Sequence, residues 1–420
     1  MPAPAVPRVL AAAVFLAALP LSLAADLDSA ALLRQARSQI LANVSQLPRY
    51  TCVETVHRTR YDPYPARRRP KSCAELSMTP WRELRAWSDR FKLDVTIAQE
   101  GEIFSWAGDR RFQTEDLRTL VGGEGMTGSG DFGPFLTSIF GENGAQYEYA
   151  GLDNALAVYR YRIPLAASHY QLRTGPRPQD LATVAYEGRF WIDPHTAQLR
   201  RLTIVVPQAP PASETCRLET TIEYRQTRIH GSPFLLPATT RANLLDTAGA
   251  RHENQIDYGS CREFESESVF RTDIAGPAAA PAPAPPANPP VAIPPGVTLN
   301  IALRSRVDSD AAFAGDAIEG ELVDAAGPIP KGAVVHGRIV RLSWNQQPSV
   351  YLAVGLRFDT VEVNGARVPL SLEPLTRSRL DRILETPEER DQGIGMFLFQ
   401  QDRVVLDHDF VTRWKTVTKR

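Results

Sequence analysis

The sequence predicts a mainly β protein: one large, curved antiparallel sheet with a few helices, then a second and smaller β domain. Three observations predict it. Runs rich in β-branched and aromatic residues recur from Tyr50 to Arg271, separated by turn residues. Helical spacing is confined to short stretches such as Asp26–Leu47. A Pro/Ala-rich tract at 275–295 lacks backbone donors and favours extended polyproline geometry, so it reads as a semi-rigid linker between 26–274 and 296–420.

In chain order, Met1–Ala25 has the pattern of a signal peptide: Arg8, an apolar run Val9–Leu19, then small residues ending at Ala25. No later stretch has the ~18 apolar residues that would span a bilayer, so the mature chain is expected to be periplasmic or secreted, with no transmembrane segment. Lys and Arg number 47 against 48 Asp and Glu, which leaves no global charge to attract nucleic acid. In an oxidising compartment Cys52, Cys73, Cys216 and Cys261 are expected to form two disulfides, and three pairings are open. Chain proximity favours Cys52–Cys73 and Cys216–Cys261.

Asp26–Leu47 brings Leu32, Ala36, Ile40, Val44 and Leu47 to one helical face, and Pro48 ends it. A strand follows at Tyr50–Tyr61, then a turn-rich loop. Arg58, Arg60, Arg67, Arg68, Arg69 and Lys71 gather here, either as a solvated hairpin tip or as an anion patch for phospholipid heads, acidic glycan or an acidic partner. Phe91–Ile97 and Glu102–Trp106 form a hairpin bearing Phe104 and Trp106. Gly123–Gly128 spells G-x-G-x-x-G, but among antiparallel hairpins rather than a βαβ unit it reads as a loop. Asp131 is a candidate cap for a short helix, Phe132–Phe140, able to plug the sheet. Strands resume at Tyr147–Ala150, Leu156–Ile163, Ser168–Arg173, Cys216–Arg228, Pro237–Asp246, Glu253–Tyr258 and Arg262–Arg271.

The hairpin at 185–206 organises this part. Pro194 presets φ for a type I turn, Asp193 can bond the backbone ahead, and Leu202, Ile204 and Val206 share a face. Its FWIDPHTAQLRRLTI resembles the hairpin of bacterial lipoprotein-sorting carriers (LolA/LolB-like half-barrels). The resemblance implies that 26–274 is a half-barrel, with the N-terminal and plug helices packed against it. It also implies an apolar ligand, a lipid or lipoprotein acyl chain, for which Phe104, Trp106, Trp191, Ile204 and Ile222 are the candidate cavity residues. The same residues are equally the plain core beneath the N-terminal helix.

In the C-terminal part, Pro330-Lys331-Gly332 and Asn364-Gly365 mark turns; the second is a two-residue hairpin because both positions tolerate positive φ. With Ile329 and Gly337, these residues make 293–372 similar to the β-barrel module of conjugative type IV secretion channel scaffolds, which implies a smaller β-barrel-like domain. Nucleophile elbows, S-x-x-K, H-E-x-x-H and Walker loops are lacking in the sequence. Asp407-His408-Asp409, placed on a strand, would point its imidazole away from its carboxylates. No catalytic residue, metal or cofactor is therefore assigned. The leading expectation is an exported cell-envelope binding protein. A structural or interaction module contacting an envelope protein or glycan is the second, and a wall-directed hydrolase the third.

Overall fold

The computed structural model describes residues 28–64, 72–78, 82–98, 101–109, 117–122, 125–128, 132–141, 144–175, 177, 179–263, 293–347, 349–375 and 393–418. The signal-like segment and nearly all of the linker lie outside them. So do Arg67, Arg68, Arg69, Lys71 and Asp131.

Helix α1 (Ser29–Gln46) starts where Asp28 accepts a hydrogen bond from the Ala31 amide at 2.9 Å, and it buries Leu32, Ala36 and Ile40. Strand β1 (Tyr50–Tyr64) follows, then helix α2 (Cys73–Met78), β2 (Arg82–Ala98) and β3 (Gly101–Trp106). Helices α3 (Leu117–Val121) and α4 (Pro134–Phe140) lead to β4 (Gln146–Asp153) and β5 (Leu156–Ile163). Two short strands, β6 (Gln171–Arg173) and β7 (Leu181–Thr183), pair only with each other. The long return consists of β8 (Tyr186–Ile192), β9 (Leu199–Val206), β10 (Thr215–Ile229), β11 (Ser232–Asp246) and β12 (Arg251–Glu263).

The antiparallel order is β4, β5, β8, β9, β10, β11, β12, β1, β2, β3. The β8–β9 turn forms as its residues dictate: the Asp193 carboxylate accepts from the amides of His195 and Thr196 at 3.0 and 3.2 Å. The expected strand at Arg262–Arg271 is instead the end of β12 as far as Glu263, and the remainder lies outside the described residues.

Both disulfides differ in pairing from the expectation: Cys52 bonds Cys261, and Cys73 bonds Cys216. Sheet geometry gives the reason. Cys52 is 12 residues from the far end of β1, about 40 Å away at ~3.3 Å per residue. The chain from Tyr64 to Cys73 cannot return that distance. Cys216 is level with Leu245 and Asp246 of β11 and so with Arg251 of β12, ten residues short of Cys261; at ~3.3 Å per residue the two are ~33 Å apart, far beyond the ~7 Å limit between bridged Cα atoms. Neighbouring strands β1 and β12 bring Cys52 and Cys261 to a Cα separation of 4.0 Å.

The C-terminal part is built from β13 (Thr298–Leu303), β14 (Val307–Asp308), β15 (Ala317–Leu322), β16 (Val334–Asn345), β17 (Tyr351–Val363) and β18 (Ala366–Pro369). It ends with β19 (Leu372–Pro374), β20 (Gly395–Phe399), β21 (Val405–Leu406) and β22 (Val411–Thr416). Asn364 and Gly365, at φ 51° and 76°, make the expected tight turn between β17 and β18. This part adds to the first sheet rather than standing apart. Residues 87–89 of β2 pair with 343–345 of β16. Just beyond, the Lys92 amide donates to the Ala314 carbonyl at 2.7 Å, and the Ala314 amide to Arg90 at 3.1 Å. Gly315 makes that approach possible: it sits at φ +103°, and a Cβ there would lie 2.4 Å from the Lys92 carbonyl oxygen.

Two cores result. One lies under α1 and α4, against Tyr159, Tyr161, Phe190, Leu202, Ile204 and Ile222. The other joins Tyr50, Phe91, Leu93, Phe104 and Trp106 of the first part to Ile301, Ile339, Phe358 and Trp414 of the second.

Candidate functional site

The concave face of the sheet is where the expected apolar cavity would lie. Along β9 the alternation becomes burial: Leu202, Ile204 and Val206 turn inward. α1 and α4 cover them. Phe135, Leu136, Ile139 and Phe140 of α4 are buried, and Phe140 meets Phe190 edge-on at 4.9 Å between centroids. α4 starts with Gly133 at its N-cap and Pro134 in its first turn. Its carbonyl end is tied to α1, because Arg37 donates to the Phe140 and Gly141 carbonyls at 2.9 and 2.8 Å. Asn43 pairs with the backbone of Leu235 on β11 through both ends of its amide, at 3.1 and 2.8 Å.

The five candidate cavity residues do not converge. Ile204 and Ile222 belong to the core under the helices, whereas Phe104 and Trp106 belong to the core shared with the C-terminal part. Trp191 lies on the other face of β8 from Phe190: its indole donates to Asp153 at 2.9 Å, and the Arg201 guanidinium lies 5.3 Å from its ring centroid. The period-2 alternation of β8 puts Trp191 on the face opposite Phe190, away from the core under the helices.

A different concavity forms where β1 and β2 meet β16, a groove of about 460 Å³. His57, Arg58 and Thr59 come from β1, and Arg85, Ser88, Asp89 and Arg90 from β2. Trp344, Gln346 and Asp402 come from the C-terminal part.

Arg58 is the member of the expected anion patch that reaches this wall, and it is not exposed; its side chain is 1% accessible. On β1 it continues the inward phase of Tyr50, Cys52, Glu54 and Val56, and Asp89 stands directly opposite on β2. The guanidinium grips Asp89 with two bonds, Nε to Oδ1 at 2.9 Å and Nη2 to Oδ2. It also lies 4.9 Å from the Phe91 ring centroid and 5.4 Å from that of Trp87. Gly125 closes over it at φ +77°, and a Cβ there would strike the Trp87 ring at 2.9 Å. That is the structural use of a glycine from the G-x-G-x-x-G string. Arg60 remains exposed and pairs with Asp62 at 2.8 Å.

Arg90, half-buried, lies between two rings, its guanidinium 4.8 Å from the Phe313 centroid and 5.2 Å from that of Trp344. Its Nη2 donates to the Ser309 carbonyl, while its Nε is buried without a partner among the described residues, as is Arg58 Nη1. Arg85 is exposed on the same wall. Trp344 is fixed by an indole bond to the Asp402 carbonyl at 3.0 Å.

Partial burial, then the charge of Arg90, hold the His57 imidazole below its ordinary value. Burial pushes the Asp89 carboxyl up, and the Arg58 charge and hydrogen bonds oppose it. With both carboxylate oxygens engaged by Arg58, Asp89 is a structural anion rather than a proton donor. Removing either partner would strand a buried charge, at a cost of ~3–5 kcal/mol.

The sequence signal for this site lay in strand phase: Arg58 and Asp89 fall on the same parity as their apolar neighbours. Trp344 carried no such signal, because β16 is far from β1 and β2 in sequence. Asp407, His408 and Asp409 occupy a turn, not a strand, so alternation does not separate them; their ligand atoms lie within 4.8 Å of one another, all exposed. No helix among the described residues is long and apolar enough to cross a membrane.

No protein-family model and no curated protein matches the chain. Among solved structures, it is similar to the LolA superfamily protein NE2245 from Nitrosomonas europaea. That likeness has a TM-score of 0.25 and 10% identity, covering 56% of this chain and 94% of that one. It is also similar to a DUF1329 family protein from Desulfovibrio piger, with a TM-score of 0.24 and 9% identity over 57% and 95% of the two chains.

Proposed function

We propose that this chain is an exported binding protein of the cell envelope that holds its ligand in the groove between β1–β2 and β16. The single observation that carries the reading is the groove itself. It is walled by Arg58, Arg85 and Arg90, and two buried guanidinium nitrogens there have no partner among the described residues. Export is supported by the signal-like Met1–Ala25 and by two disulfides, which persist in oxidising compartments. The engagement of Asp89 by Arg58 supports binding over hydrolysis. The packing of α1 and α4 on the concave face supports a structural role for that half, against a lipid site there.

Native mass spectrometry of the full chain purified from its own host tests the proposal. A retained non-protein mass is expected, and Arg85→Glu should release it while leaving the fold intact, because Arg85 is exposed. A retained fatty acid indifferent to Arg85→Glu but released by substitutions in α4 would refute the groove and restore the lipid-carrier reading.

A further inference from the structure

We infer that the groove takes a carboxylate-bearing sugar, a uronate unit of an acidic glycan. The inference rests on the groove being the binding site. Its size suits a short saccharide segment, and about 460 Å³ is within the range of small-molecule sites. Its walls are polar, with Thr59, Ser88 and Gln346 offering groups that match sugar hydroxyls in both hydrogen-bonding senses. Trp344 supplies the apolar wall on which the C–H side of a pyranose can pack.

Charge decides which anion fits. Three guanidiniums line the groove, but Asp89 neutralises Arg58 and Asp402 faces the same space. Asp308, Asp310 and Asp316, whose charges also reach Arg90, are paired with Arg306, Arg403 and Lys92. Among the lining residues one positive charge is left over. A singly charged carboxylate matches it; a phosphate monoester, carrying about −1.5 to −2 at neutral pH, overshoots it. Arg85 has no partner among the described residues, and Arg90 is held in place by Phe313, Trp344 and Ser309. A planar guanidinium fork is the geometry that recognises a carboxylate. Arg90 is therefore the preorganised contact and Arg85 the adaptable one.

Isothermal titration of the full chain with trigalacturonate, its methyl ester, inorganic phosphate and phosphatidylglycerol vesicles tests this. The acid should bind at least about tenfold more tightly than the ester, as expected for a charge-assisted hydrogen bond. Arg85→Gln should erase that difference without changing the melting temperature, and Trp344→Phe should weaken acid and ester alike. Equal binding of acid and ester, both weakened by Trp344→Phe, would overturn the anionic class and leave the groove as the site. Preference for phosphate or vesicles, lost in Arg85→Gln, would do the same. Failure of all four probes while a native adduct is released by Arg85→Glu would overturn the uronate alone. Failure of all four with no such adduct would remove both the inference and the reading beneath it.

Discussion

Phe140→Ala distinguishes a filled half-barrel from an open one. The side chain is 0% accessible, packed against Phe190 in the core that α1 and α4 share. Truncating a buried phenylalanine costs about 3–5 kcal/mol, from lost transfer energy and the cavity left behind. The edge-on pair with Phe190 accounts for about 0.5–1.5 kcal/mol within that range. Because Arg37 fixes the backbone at Phe140 and Gly141, α4 cannot easily slide to refill the space. A value near 4 kcal/mol is therefore expected. Urea unfolding followed by tryptophan fluorescence would measure it as a shift in midpoint at unchanged slope. The new void should be dry and apolar, so benzene should partly restore stability in the variant and not in the parent. A loss below about 1 kcal/mol, together with fatty-acid uptake by the parent, would refute the filled core.

Four further expectations follow from the same geometry. Non-reducing peptide mapping should find Cys52 joined to Cys261 and Cys73 to Cys216, and reduction should cost about 2–5 kcal/mol for each bond by freeing the unfolded chain. Gly315→Ala, strained both by its positive φ and by the Lys92 carbonyl, should lower stability by about 1–3 kcal/mol or more, read by thermal unfolding. Cleavage within 275–295 should leave the two parts co-eluting on gel filtration and melting together, since they share a core and the β2–β16 pairing. Burial raises Tyr159 and Tyr186 to about 12 and pushes Tyr161 well up too, whereas unfolded tyrosine ionises near 10. Their stabilising contribution is complete below pH ~10 and is lost as pH climbs from there towards 12 and beyond. Tyr161→Phe should flatten that decline in a pH series of unfolding curves.

What was legible in the sequence was local. Asp193, Asn364-Gly365 and the Leu32–Ala36–Ile40 stripe act on neighbours within a few residues, and each element formed as read. What was not legible depended on strand partners. The disulfides follow the β1–β12 pairing, which joins residues 209 apart, and no local rule reveals it. The burial of Arg58 was readable in principle, since its parity on β1 matches Cys52 and Val56; a basic cluster nearby drew it to the surface instead. Trp191 failed for the complementary reason, a large side chain assigned inward against its own strand phase. The groove itself needed β2 to change neighbours, from β3 to β16, and nothing in the 17 residues of β2 announces that exchange.

The β1–β12 pairing also governs how the chain is born. Synthesis proceeds from the N-terminus, so β1 and β2 can pair early as a hairpin with one long edge still open. That edge, Tyr50–Tyr61, waits for residues 251–263 before its hydrogen bonds are met, and Cys52 waits with it for Cys261. In the interval Cys52 is a free thiol on an unpaired strand edge, and such an edge invites foreign strands. A native chain must therefore keep that edge and its thiol from foreign partners until β12 arrives. Holding of the open edge is thus a demand written into the order of the strands.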